Sequence, residues 1–449
     1  MERYFKFSAI HYLLLLAVSF VLFGMHTVNI ISLCIVAIGI FAWYLSHSYG
    51  NLKIPLRITG ITLVSLVNIF GVLLYVLILL NSPKAKPFEP TITFTPHTTE
   101  SEALYMELVD YSEKEDGLTA LPKDIAQALN DRNYDDNTIA NVYNETIGSR
   151  KQLEEILMRA PASIPYNQLK WDGKIPRYTK LLNWIKLELW AVNRMVVNGK
   201  IRDARTRYDE LWSIMRALYN GNHTLIGASV TRAMTMLMVE FPYTFTRGSH
   251  IVDVPTFSQH LLYIEQHIDS MFSGAVAAEY TTFEQSVEQM TVGAIFPNAS
   301  VNTRYHEKLI YGYIVRWPFF DKHELYRKVH KTFSDYSNSY TVPYYQLKSE
   351  NDSEPEFDAQ RPPFYKNMLG NIFYATAMPS YNRIHLSKEK AKSQIICLRA
   401  YLEGGVKLVE KTIDPLTGTA FIVKKEGRAT VIATKFEEKG KPAWTMDIR

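Results

Sequence analysis

Hydrophobic and polar positions divide the chain into two regimes. Three apolar runs, Ser8 to Gly24 (SAIHYLLLLAVSFVLFG), Thr27 to Leu45 (TVNIISLCIVAIGIFAWYL) and Ile58 to Leu80 (ITGITLVSLVNIFGVLLYVLILL), contain no Asp, Glu, Lys or Arg. Each approaches the roughly 20 residues that cross a hydrocarbon core about 30 Å thick. The pattern predicts three transmembrane helices, forming an anchor over 1–81. The first run has a short charged lead-in but no small-x-small cleavage site, and the second follows at once, so it reads as a span rather than a cleaved signal. With only Gly24-Met25-His26 between them, the first two spans form a tight hairpin.

Cationic residues orient this anchor in the bilayer. Arg3 and Lys6 precede the first span, Lys53 and Arg57 lie between the second and third, and none lies between the first and second. Positive charge stays on the cytoplasmic side, so the N-terminus is expected there. An odd number of spans then delivers the rest across the membrane, which for a bacterial inner membrane means a periplasmic domain. Lys84 and Lys86, just past the third span, pull weakly the other way. His11, Asn29 and Asn68 sit at membrane depth. They read as hydrogen-bonding contacts between helices rather than an ion path, because no acidic residue accompanies them.

Residues 82–100 (SPKAKPFEPTITFTPHTTE) carry four prolines and predict an extended spacer. From 101 onward the apolar period is helical. Leu182, Ile185, Leu189, Val192 and Val196 form one stripe between Tyr178 and Asn198. After Gly199 the stripe repeats with Ala204, Tyr208, Leu211, Met215 and Leu218, and a third helix is expected over Leu225 to Val239. Short glycine-containing links make such helices antiparallel neighbours. Further helices are expected over 101–114, 122–130, 136–146, 150–159, 256–272, 276–292, 302–315, 321–336, 365–377 and 387–409. Ser273-Gly274 is taken as a helix break, and 341–363 as a polar, acidic, Pro-rich loop. Past the Asp414-Pro415-Leu416-Thr417-Gly418 turn signal, AFIVKK and ATVIAT alternate around Glu426-Gly427 as a hairpin, and AWTMDI supplies a possible third strand. The expected fold is mainly α: three transmembrane helices, a helical domain over 101–410 built as a hairpin stack and loosely solenoid-like, and a small β-hairpin segment over 411–449.

Composition narrows the partners. A chain of 449 residues has room for two or three domains. A net charge of +4, with both signs interspersed, gives no strong pull on nucleic acid. Cys34 lies in the second apolar run and Cys397 far along the polar part, which argues against a disulfide or a zinc knuckle and suits an oxidising compartment.

Several stretches carry resemblances. Asn367-Met368-Leu369-Gly370 with Met378-Pro379, the helix CLRAYLEGG, and IDPLTGTAFIV together resemble a group of bacterial membrane-anchored proteins with a helical extracytoplasmic domain and a closing DPFTGKPLxY-type turn. Leu416 stands where that group has an aromatic, and the Gly-x-Tyr-Pro segment normally before the turn is missing. The resemblance implies an architecture and no activity. Gly199 to Leu211 (GKIRDARTRYDEL) resembles one helix of a tetratricopeptide-type repeat, but no second copy follows at a period of about 34. The DPxTG turn is superficially similar to the calcium-loop end of major pseudopilins. Without their processing site and single-helix plan, no calcium ligands carry over.

Tempting residues are few. His306-Glu307 and His323-Glu324 each begin an HExxH-like string without its second His, and His330 lies seven residues after His323. His260 and His267, near Glu265, are two helical turns or roughly 10 Å apart, too far to share one metal. Glu284 and Glu288 form an i,i+4 pair that reads as a solvated face, with Glu279 nearby as a further carboxylate for acid–base work on a glycan. Trp317 to Phe320 and Tyr344-Tyr345 would line a peptide or glycan groove if exposed, though aromatics at this spacing are usually core. No residue is assigned a catalytic, cofactor-binding or metal-binding role, and no cofactor is expected. The expected function is a membrane-anchored extracytoplasmic scaffold or accessory subunit that binds other envelope proteins, its partners being the lipid bilayer and an envelope protein. The alternative is an envelope hydrolase acting on peptide or glycan through Glu279, Glu284 and Glu288. A sensor is disfavoured by the lack of a cytoplasmic output domain.

Overall fold

A computed structural model describes residues 99–133, 136–159, 174–221, 224–244, 251–289, 321–350, 374, 381–426, 429–438 and 440–448. The three apolar runs, nearly all of the spacer and the helix expected at 302–315 lie outside these residues, as does the helix expected at 365–377 apart from Tyr374. Among the described residues no helix is long and apolar enough to cross a membrane.

The described part is mainly helical. Its helices, numbered along the described residues, are α1 (Thr99–Glu113), α2 (Lys123–Asn130), α3 (Ile139–Glu145), α4 (Ile147–Arg159), α5 (Tyr178–Val197), α6 (Ile201–Asn220), α7 (Leu225–Thr244), α8 (Val254–Gln289), α9 (Lys322–Ser339), α10 (Tyr344–Glu350) and α11 (Tyr381–Val409). Described residues up to Gln285, from His330 to Glu350 and from Tyr381 onward belong to one compact unit. Ser286–Gln289 and Asp321–Val329 belong to a second, in which Asp321 accepts the Glu324 N–H at 3.0 Å as the N-cap of α9.

The α5–α6–α7 hairpins follow the apolar stripes. Ile185, Leu189 and Val192 of α5 and Ala204, Tyr208, Leu211 and Met215 of α6 are buried, and each of these three helices packs on the other two. Between α5 and α6 the Lys200 N–H bonds Met195 O at 2.8 Å and the Gly199 N–H bonds Val196 O at 2.9 Å. This double closure needs a left-handed residue at its corner, which Gly199 supplies at φ 76°. Helix α7 runs past the expected end at Val239 because Phe241, fully buried, stacks on Tyr208 at 5.9 Å. Helix α8 is one continuous element where two were expected. Phe272, Ala275, Val276 and Ala278 are all buried around Gly274, and Phe272 stacks on Tyr340 at 5.7 Å, so burial outweighs the glycine's low helix propensity. The supposed loop from 341 instead holds α10, whose Tyr344 and Tyr345 give it an apolar anchor.

Buried charges knit the first hairpins together. Arg207 of α6 grips Glu154 of α4 bidentately, both contacts at 2.6 Å, and Glu188 of α5 at 2.8 Å. Arg150 pairs with the other Glu188 oxygen, and its guanidinium lies 3.4 Å over the Tyr143 ring. Lys180, wholly buried on α5, donates to Tyr111 O at 3.2 Å and to Lys114 O where α1 ends. A cation there completes carbonyls that the helix cannot satisfy itself.

Strands β1 (Ile422–Glu426), β2 (Ala429–Ala433) and β5 (Thr445–Ile448) form an antiparallel sheet in the order β1-β2-β5, so the expected hairpin is completed by the third strand. A short ribbon pairs β3 (Glu437–Glu438) with β4 (Lys441–Pro442). Leu416, Phe421, Ile432 and Trp444 share one apolar cluster with Cys397, Ala400 and Val409 of α11, so sheet and helix are built on a common core.

Candidate functional site

On α11 the positions 388, 391, 395 and 398 recur at steps of three and four, and Lys388, Ala391, Ile395 and Leu398 are all buried. A lysine therefore begins an apolar stripe. Its Nζ donates to Asp269 Oδ1 of α8 at 2.7 Å and to the Tyr340 carbonyl at 2.6 Å. Glu389 Oε1 lies 2.5 Å away as an ion pair but without hydrogen-bond alignment, and neither Glu389 oxygen has any other hydrogen-bond donor. Lys392 pairs with the second oxygen of Asp269. Two ammonium groups and two carboxylates are thus gathered in one site, Lys388 and Glu389 buried, Asp269 and Lys392 partly exposed, and their charges cancel.

His385, one turn earlier, completes the group. Its Nε2 stands 3.7 Å from Glu389 Oε1, and its ring lies against Tyr340 at 4.9 Å and edge-on to Tyr344 at 5.7 Å. Burial pushes its pKa below the ordinary histidine value, outweighing the pull of Glu389. The site thus holds an amine, two carboxyl groups and an imidazole in a water-poor setting, a set suited to proton transfer and acyl chemistry.

The DPLTG turn lies at the next stage of the same helix. Asp414 is fully buried. Its Oδ1 accepts from Ser393 Oγ at 2.6 Å and from the Leu416 N–H at 2.9 Å, and its Oδ2 accepts from Thr434 Oγ1 at 2.5 Å. Trp444 Nε1 donates to Ser393 Oγ at 3.1 Å, extending the chain of bonds. The Asp414 carbonyl accepts from the Gly418 N–H at 2.9 Å, closing the turn. Gly418 has φ 67°, and a Cβ there would fall 2.7 Å from the Tyr345 ring. Hydroxyl and amide donors occupy both carboxylate oxygens, which makes this turn a structural knot. Burial, with Asp414 nearby, pushes the Cys397 thiol up to about 12.

The residues singled out in the sequence go to separate partners. Glu279 Oε1 accepts the Leu225 N–H at 3.1 Å, and Thr224 Oγ1 accepts that of Gly227 at 3.1 Å, so both cap α7. Burial raises the Glu279 pKa above the usual carboxylate value. Glu284 is half-buried, and Glu288 falls outside the described side chains. His260 Nδ1 lies 2.8 Å from Arg216 Nη2, and its ring stacks on Trp212 at 5.2 Å. His267 stacks on Tyr263 at 4.0 Å, while Glu265 is taken by Arg399 at 2.9 Å. Glu324 pairs with Lys328 at 3.2 Å, and the His330 ring meets Tyr280 edge-on at 5.5 Å. His306, Glu307 and Trp317 to Phe320 lie outside the described residues. Tyr344 packs edge-on against Phe436 at 5.7 Å and Tyr345 against Gly418, so this pair braces the turn.

Sequence reading missed the Lys388 group altogether. The run Ser387-Lys388-Glu389-Lys390-Ala391-Lys392 looks like a solvated face; the available signal was that Lys388 falls in register with Ala391, Ile395 and Leu398. Among the described residues no group of three His, Cys, Asp or Glu side chains is arranged to hold a metal. No known protein family matches the chain, nor does any curated protein or solved structure.

Proposed function

We propose that this chain is a membrane-anchored scaffold or accessory subunit whose helical domain binds other cell-envelope proteins. The observation that carries the reading is the antiparallel α5–α6–α7 stack, with its strongest charges turned inward on one another. Such a stack presents broad, preformed helix faces, as protein-binding hairpin arrays do. The apolar runs of residues 8–80 support the anchor, and their flanking lysines and arginines support a cytoplasmic N-terminus with the domain on the periplasmic side.

One patch fits the docking role. The Arg159–Glu107 ion pair, 2.6 Å long, joins α4 to α1, and the residues next to its members in sequence, Met158 and Met106, are 53% and 36% exposed. Exposed methionines adapt to a partner's shape at little cost. Glu279 spends one oxygen on capping α7, which favours this reading over a hydrolase built on that carboxylate.

Purification from native membranes in a mild detergent, followed by gel filtration and mass spectrometry, tests the proposal. A stoichiometric envelope protein that stays bound supports it; a chain that elutes alone or only with copies of itself overturns it.

A further inference from the structure

We propose that Lys388 and Asp269 condense into an internal amide that covalently ties α11 to α8, with Glu389 moving the proton. The geometry is that of a reaction held at its start. The amine nitrogen is 2.7 Å from a carboxylate oxygen of Asp269, and the Tyr340 carbonyl at 2.6 Å fixes it there. An amine hydrogen-bonded to that oxygen stands one bond from the carbon it attacks, so no further encounter is needed. Lys388 has no exposed surface, so bulk water does not compete for the amine.

The two flanking side chains supply what the step requires. Glu389 Oε1, 2.5 Å from Nζ, takes a proton from the ammonium, and no aligned hydrogen bond ties that carboxylate elsewhere. The freed amine attacks Cγ of Asp269. Lys392, paired with Oδ2, stabilises the negative charge that gathers on that oxygen in the tetrahedral intermediate. The Nζ–Cγ bond forms, the Cγ–Oδ1 bond breaks, and Oδ1 leaves as water carrying two of the former ammonium protons, one of them returned by Glu389. Nothing is oxidised or reduced. The product removes one positive and one negative charge from the interior and so relieves their burial cost. It leaves Glu389 and Lys392 as the remaining opposite charges.

The full-length protein, solubilised from membranes, is denatured and its mass measured, then digested and mapped. The expected result is a chain one water lighter than its sequence, with a branched peptide joining the segments that contain Asp269 and Lys388. Glu389→Gln removes the proton acceptor and Lys388→Arg the attacking amine, so both are expected at full mass with linear peptides. Wild-type protein at full sequence mass, with Asp269 and Lys388 in separate linear peptides, overturns the proposal. That measurement does not depend on either variant folding.

Discussion

Ser393 Oγ and Asp414 Oδ1 meet at 2.6 Å across 21 residues of chain, and the bond joins the middle of α11 to the turn that opens the C-terminal sheet. Both side chains are fully buried. Ser393 also accepts from Trp444, and Asp414 also accepts from Thr434, so one buried pair holds helix, turn, the residue just past strand β2 and the Trp444 indole together. Ser393→Ala strands the Trp444 N–H and takes one of the two donors from Asp414 Oδ1, and is expected to cost about 1–3 kcal/mol. Asp414→Ala orphans three donors and is expected to cost more. Urea unfolding of the two single variants and the double variant should give a coupling energy of about 0.5–3 kcal/mol. Additive losses would show that the bond does not join these elements energetically.

Gly199 and Gly418 both occupy positive φ, but only Gly418 faces a neighbour where a side chain would go. Gly199→Ala therefore carries the backbone strain alone, about 1 kcal/mol, while Gly418→Ala adds a collision with the Tyr345 ring. Gly418→Ala should lower the melting temperature more, and Tyr345→Ala should recover part of that difference.

Acid should destabilise the domain through His260. Burial, then the Arg216 guanidinium, lower its pKa to about 4, while the unfolded chain titrates near 6.5. Above about pH 6.5 the imidazole is neutral in both states and its contribution is intact. As pH falls towards 4 the unfolded state takes up a proton that the folded state refuses, and stability drops by at most about 1.4 kcal/mol per pH unit. His385, also held low by burial, adds to the slope in the same direction. His260→Asn should make the pH dependence of unfolding shallower in that window; an unchanged slope would contradict the assignment.

Glu279 carries the opposite sign. Its pKa is raised by burial, so the neutral acid is favoured in the fold. The stability this gives is complete below the ordinary value of about 4.3 and is lost as pH rises through the folded value. Glu279→Gln keeps an acceptor for the Leu225 N–H without the charge. It should gain on the wild type between pH 4 and pH 8 in paired urea titrations.

At the proposed docking patch, Met106→Asp and Met158→Asp change exposed side chains and should alter stability by no more than about 0.5 kcal/mol. The partner recovered with wild-type protein should be lost. Retention of the partner would place the interface elsewhere.

The α5–α7 stack was legible because its apolar residues keep strict helical spacing and Gly199 marks the corner. Helix α8 was misread at Ser273-Gly274 because local propensity says nothing of Phe272 meeting Tyr340, a contact between residues 68 apart. The end of α7 was misplaced for the same kind of reason, the Tyr208–Phe241 stack. The DPLTG turn was visible, but the burial of Asp414 was not, since its donors Ser393 and Thr434 lie on other elements. Lys388 was the hardest. A lysine in a charged run reads as solvent-facing until its partner, 119 residues earlier, is known.

The apolar cluster beneath the turn also sets an order of events during synthesis. Cys397 and Ala400 of α11 are translated well before Trp444, which covers the same cluster and bonds Ser393. Until the ribosome has extruded β5, this face of α11 stays uncovered and Ser393 lacks its indole. The nascent chain therefore carries this part of the apolar cluster with one open flank until Trp444 arrives to close it.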